Sequence, residues 1–209
     1  MSLARTERAA LAELFEQVGS DQPTLCEGWT TLDLLIHLLI RERDPLGAVG
    51  NQVKPLQTFT DKAADGYRAR PWDELVQAYR SGPPGWNPTG WKPIDEMFNG
   101  GEMFIHHEDV RRCQPGWRPR ELNEADTREL TRMVRSGMSR LALRKADVGI
   151  EARIPGQKPI TLRSGDPVVT LTGDPGEIVL WLSGRDAVEL QFDGDPAAVG
   201  QLRTLQRGF

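Results

Sequence analysis

Cysteine is nearly absent: Cys26 and Cys113 are the only two in 209 residues. Two cannot build a disulfide framework, and no CxxC pair suggests a redox centre or a zinc knuckle, so both are expected to be reduced, packed or incidental thiols. A basic excess is missing as well. Against 26 Lys and Arg stand 30 Asp and Glu, a net charge of -4, and no run of cations lies on an expected helix. Such a surface leaves no electrostatic footprint for nucleic acid. Long hydrophobic runs are missing too. The longest, Leu34 to Ile40, is interrupted by His37 and is far short of the ~20 residues of a membrane span. Residues 1–19 carry Arg5, Glu7, Arg8, Glu13 and Glu16 and read as an amphipathic helix, not a secretory signal. The expectation is a cytoplasmic protein with no membrane or nucleic-acid partner. Its 38% hydrophobic and 27% charged content is that of an ordinary globular chain.

What is present divides into two textures. Leu3, Ala10, Leu11, Leu14 and Phe15 recur at helical steps and stop at Gly19, which predicts an outer helix over about 4–18. Thr30 or Thr31 then caps a second helix with Asp33 in its first turn. Its core, Leu34 to Ile40, is apolar on nearly every side, so it belongs at the centre of a bundle, and His37 goes inside with it. Helix is expected again near 56–67, over 72–80, over 94–112 with a possible break at Asn99, Gly100 and Gly101, and as one long element over 123–145. Between them SGPPGWNPTGWKP (81–93) reads as a loop presenting Trp86 and Trp91. From about residue 147 short alternating runs at 148–154, 160–163, 168–172 and 188–192 predict strands, with helices over 177–182 and 196–207. The fold class is therefore α+β. An up-down bundle of four or five helices spans residues 1–146, and a small α+β domain spans residues 147–209.

Histidine occurs three times, at His37, His106 and His107, so its placement is informative. In GEMFIHHEDVRR, Glu102 and His106 are four apart, which sets them about 40° apart around a helix and one turn apart along it. Both side chains can reach one ion. His107 points about 100° away and is assigned to the surface or to a hydrogen bond. Asp109 returns to the face of Glu102 and can orient His106 from behind. His37, the polar residue of the central helix, is the natural third donor, and two histidines with one carboxylate leave a position open for water or substrate. Asp33, one turn earlier, either holds His37 or serves as a helix-start carboxylate. Taken singly, a histidine in an apolar helix is usually a hydrogen-bonded core residue, and Glu-x-x-x-His is often a solvated face.

In order, LCEGWTTLDLLIHLLIRE and GEMFIHHEDVRR resemble the signature of the mycothiol-dependent maleylpyruvate isomerase family, within the DinB-like metal-binding bundle superfamily. The resemblance implies His37, Glu102 and His106 as ligands of a divalent ion, typically zinc, and a C-terminal domain similar to sterol-carrier-like folds. It also implies mycothiol as co-substrate, with the metal favouring its thiolate for attack on a small electrophilic substrate, as a transferase or isomerase. The stretch LWLSGR resembles a family segment that ends in an arginine facing the interdomain cleft, making Arg185 a candidate anion partner beside Arg112, with Trp86 and Trp91 as a pocket wall or lid. The HHED doublet and the PPGWNPTGWKP loop have no counterpart in the isomerase and point to a separate actinobacterial branch. Two rival readings are a zinc hydrolase assisted by Asp109 or Glu108 and a non-catalytic lipid or small-molecule carrier. The expected assembly is a monomer or homodimer.

Overall fold

A computed structural model describes residues 2–44, 57–85 and 99–208. The chain forms two compact units, residues 1–117 and 118–209. The first is helical and contains α1 (Leu3–Val18), α2 (Thr31–Arg43), α3 (Gln57–Arg68), α4 (Trp72–Arg80) and α5 (Gly100–Arg111). Helix α1 buries Leu3, Leu11 and Phe15 and ends at Gly19, whose φ of +82° a side chain would resist. It packs along α5 and α4, while α2 lies against α3 and α4. Phe15 meets Trp72 and Tyr79 edge to face, with ring centroids at 5.6 and 6.0 Å, the arrangement that aromatic quadrupoles favour.

The central position expected for α2 is observed. Leu34, Leu35, Ile36, Leu38, Leu39 and Ile40 are all buried. Thr30 starts the helix with a capping box: its hydroxyl accepts from the Asp33 backbone N–H, and the Asp33 carboxylate accepts from Thr30. Asp33 also pairs with Arg68 at 3.2 Å. It is thus a helix-start carboxylate committed to Thr30 and Arg68. Burial pulls its pKa upward, but the Thr30 and Arg68 contacts outweigh that and hold it below the usual carboxylate value.

The second unit begins earlier than the sequence texture suggests, at 118 instead of 147. The long helix expected over 123–145 is two pieces, α6 (Glu124–Val134) and α7 (Gly137–Ala142). Ser136 breaks it by capping α7, its hydroxyl accepting from Met138 N–H at 3.3 Å. Leu130 and Val134 are buried, but Met138 and Leu141, which an unbroken helix would bring onto the same face, are exposed. Helix α6 packs on α8 (Pro175–Leu182), which groups it with the strands that follow.

Strands β1 (Gly149–Arg153), β2 (Ile160–Arg163), β3 (Val168–Thr172) and β4 (Gln191–Asp193) form a sheet of order β2-β1-β3-β4. The β1–β3 pair is parallel, and the two outer pairs are antiparallel. At Gly149 a Cβ would lie 2.3 Å from the Gly165 carbonyl oxygen, so only glycine fits where β1 starts. Strand β4 begins later than expected because the Glu189 backbone N–H is taken by the Glu177 carboxylate at 2.7 Å. The last helix, α9 (Pro196–Thr204), stops short of 207, where Arg207 folds back to donate to the Trp181 carbonyl at 3.0 Å. Among the described residues no helix is long and apolar enough to cross a membrane.

Candidate metal centre

Two helices and one loop build the site, all within the first unit. The loop is the lead-in to α2. Its turn Cys26-Glu27-Gly28-Trp29 is closed by Trp29 N–H on the Cys26 carbonyl at 2.9 Å, with Gly28 at φ +76° in the third position, where a side chain is disfavoured. The neighbouring Leu25 N–H donates to the Asp109 carbonyl at 3.0 Å, tying the loop to α5.

His37 projects from α2 and is partly buried. Its ring lies 5.1 Å from that of Trp29 and 5.6 Å, edge to face, from that of His106. Burial, with smaller contributions from His106 and Arg41, pushes its pKa down to about 4. The ring is therefore neutral near pH 7 and carries a lone pair, the form that binds a metal.

On α5, Glu102 Oε1 lies 3.8 Å from His106 Nε2. The other Glu102 oxygen is ion-paired with Arg41, whose second nitrogen donates to Asn99 Oδ1 at 2.9 Å. His106 Nδ1 faces the fully buried Asp109 carboxylate at 2.9 Å. With Nδ1 as the donor to Asp109, Nε2 is left free on the side of Glu102 and His37. Donor atoms from His37, Glu102 and His106 all lie within 4.8 Å of one another. Tetrahedral ligands at metal–ligand distances of about 2.1 Å stand roughly 3.4 Å apart, so small rotamer changes close the set around an ion. Two imidazoles and one carboxylate suit a divalent cation and leave a coordination position open.

Asp109 also accepts from Cys26 Sγ at 3.2 Å. Cys26, His106 and Asp109 thus form a second donor group with atoms within the same 4.8 Å. The two hydrogen bonds account for that grouping without an ion. The sequence marks Cys26 only as a packed or incidental thiol and does not single out Arg41. The signals were its place in the Cys-x-Gly-Trp lead-in and the i+4 spacing of Arg41 from His37.

The remaining expected residues fall elsewhere. Of the two places expected for His107, the structure shows the hydrogen-bonded one: the ring is buried and its Nδ1 lies 2.6 Å from Glu7 of α1. Arg112 is buried, bonded to Glu108 at 2.6 Å and stacked 4.6 Å above the Trp117 ring. Glu108 also holds Arg111 at 3.1 Å. Arg185 belongs to the second unit, just after α8, where its side chain donates to the Ser183 carbonyl at 2.7 Å. Trp86 and Trp91 lie outside the described residues.

Residues 2–85 match the family model of the mycothiol maleylpyruvate isomerase N-terminal domain. The match spans 84 of the 209 residues. The match takes in the capped α2 with His37 and ends before α5. Two crystal structures of the mycothiol-dependent maleylpyruvate isomerase, one of them a histidine-to-alanine mutant, superpose on the chain with TM-scores of 0.61 and 0.62. Identity is 15% in both cases, over 91% of this chain and 90% of theirs. The resemblance is one of fold: a helical bundle followed by a small α+β unit. No curated protein matches the sequence.

Proposed function

We infer that this protein is a metal-dependent enzyme that uses a small thiol, of the mycothiol type, to transform a small electrophilic substrate. The observation that carries the reading is the convergence of His37, Glu102 and His106 from two helices. The domain family of residues 2–85 supports the thiol. A divalent ion bound there, zinc by the chemistry of the donors, would favour the thiolate of the cofactor over its thiol.

The protein's own groups prepare that site. Burial keeps His37 neutral, Asp109 holds the His106 ring with Nε2 forward, and Arg41 fixes one Glu102 oxygen so that the other points inward. Attack on an activated double bond, rotation and expulsion of the thiol would give an isomerase. Retention of the thioether would give a transferase. Arg185 is proposed as the partner of a substrate anion on family likeness alone. The hydrolase reading finds no support, because Asp109 is buried behind His106 and Glu108 is committed to Arg111 and Arg112.

Elemental analysis followed by calorimetry with mycothiol tests the proposal. About one divalent ion per chain is expected in the parent, with little in His37→Ala or Glu102→Ala. Heat on adding mycothiol should appear only with the metal-loaded parent. A parent that carries no ion after loading, or a thiol that binds equally without metal, refutes it.

A further inference from the structure

Basic side chains from separate elements of the second unit share one concave surface. A cleft of about 630 Å³ is lined by Arg144 and Lys145, just beyond α7, by Arg203 and Thr204 at the end of α9, and by Asp186 and Arg207. That volume lies in the range of small-molecule sites. Among the described residues Asp186 is the only carboxylate on the lining, and Arg207 takes it in an ion pair. Arg207 is itself fixed, its guanidinium 4.5 Å above the Trp181 ring and bonded to the Trp181 carbonyl. The other three cations have no carboxylate partner among the described residues. Arg144 donates only to the Leu141 carbonyl at 3.0 Å, and Arg203 stacks 4.8 Å from the Phe192 ring.

One cation beyond a helix end is accounted for by the helix dipole. Arg144, Lys145 and Arg203 come from two helix ends and face one cleft, in a chain whose net charge is -4. Like charges gathered in this way repel one another unless a counter-charge sits between them. We propose that this cleft binds a small anion bearing at least two negative charges, as carboxylates or as phosphate. Arg144 and Arg203 offer planar N–H forks suited to either group, and Lys145 adds a point charge. The site stands independently of the metal centre.

The test titrates the full, chelator-treated chain with inorganic phosphate, with succinate and with acetate. It is read by calorimetry and by amide chemical shifts at about 0.15 M salt, where diffuse attraction is screened. Saturable binding of phosphate or succinate with shifts at Gly184 and Gly208 is expected, and which of the two binds assigns the group. The double variant Arg144→Gln/Lys145→Gln should bind about tenfold more weakly, as should Arg203→Gln, with melting temperature retained. Arg128→Gln, an exposed cation of α6 outside the cleft, should bind as the parent does. No saturation with either dianion, equal binding of acetate, or parent-like affinity in the cleft variants would overturn the proposal.

Discussion

Asp109 gives the sharpest test of how the metal centre is held. Its carboxylate is fully buried and accepts His106 Nδ1–H at 2.9 Å and the Cys26 thiol at 3.2 Å. Asp109→Asn keeps the shape, and its amide oxygen can still accept from His106, so the ring stays oriented while the charge that makes Nε2 a better donor is lost. Asp109→Ala removes acceptor and charge together and leaves a buried N–H and thiol facing a void. Partners of this kind are worth roughly 10- to 100-fold in metal affinity. About tenfold weaker zinc binding, near 1.4 kcal/mol, is therefore expected for Asn, and about a hundredfold, near 2.7 kcal/mol, for Ala. Competition against a chromophoric chelator at fixed pH measures both. Affinities of both variants within about threefold of the parent would refute the role given to Asp109.

Asp33→Asn should cost about 0.5–1 kcal/mol at neutral pH through loss of a charged helix-start contact. Because the folded pKa of Asp33 lies below its unfolded value, its contribution is complete above the ordinary carboxylate value of 3.8 and disappears as pH falls through the folded one. Urea melts of parent and variant should therefore converge in acid, and a gap that persists there would contradict the assignment. Glu7→Ala strands the buried His107 and should cost about 1–3 kcal/mol in the same melts, with Glu7→Gln losing less. Gly149→Ala drives a methyl group into the Gly165 backbone and should destabilise the second unit by about 2 kcal/mol or more, read from denaturation followed at its sheet. A Gly149→Ala protein as stable as the parent would mean that the β1 start can shift.

What the sequence discloses is mostly local. The i,i+4 spacing of Glu102 and His106, the apolar run around His37 and the Thr30–Asp33 start are all contained within a few turns of chain. Each appears in the structure where its period puts it. The burial of His107 is not legible in this way, because its partner Glu7 lies 100 residues earlier on α1. Cys26 gains its role through Asp109, 83 residues away, and nothing in its own neighbourhood specifies that contact. The break at Ser136 was signalled by Ser-Gly inside a helical pattern, but a sustained 3.6-residue period outweighed it. Once broken, α6 is free to follow α8, which places the unit boundary at 118 and not where the strands begin.

The loop before α2 grips a single residue of α5 twice, by main chain through Leu25 and by side chain through Cys26. A helix that slid by one residue would turn about 100° and lose both grips together. The pair acts as a two-point latch on the relative phase of the two helices that carry the imidazoles. Substitutions across the outer faces can thus accumulate without pulling the rings out of alignment, whereas a one-residue insertion between Gly101 and Asp109 should unseat them.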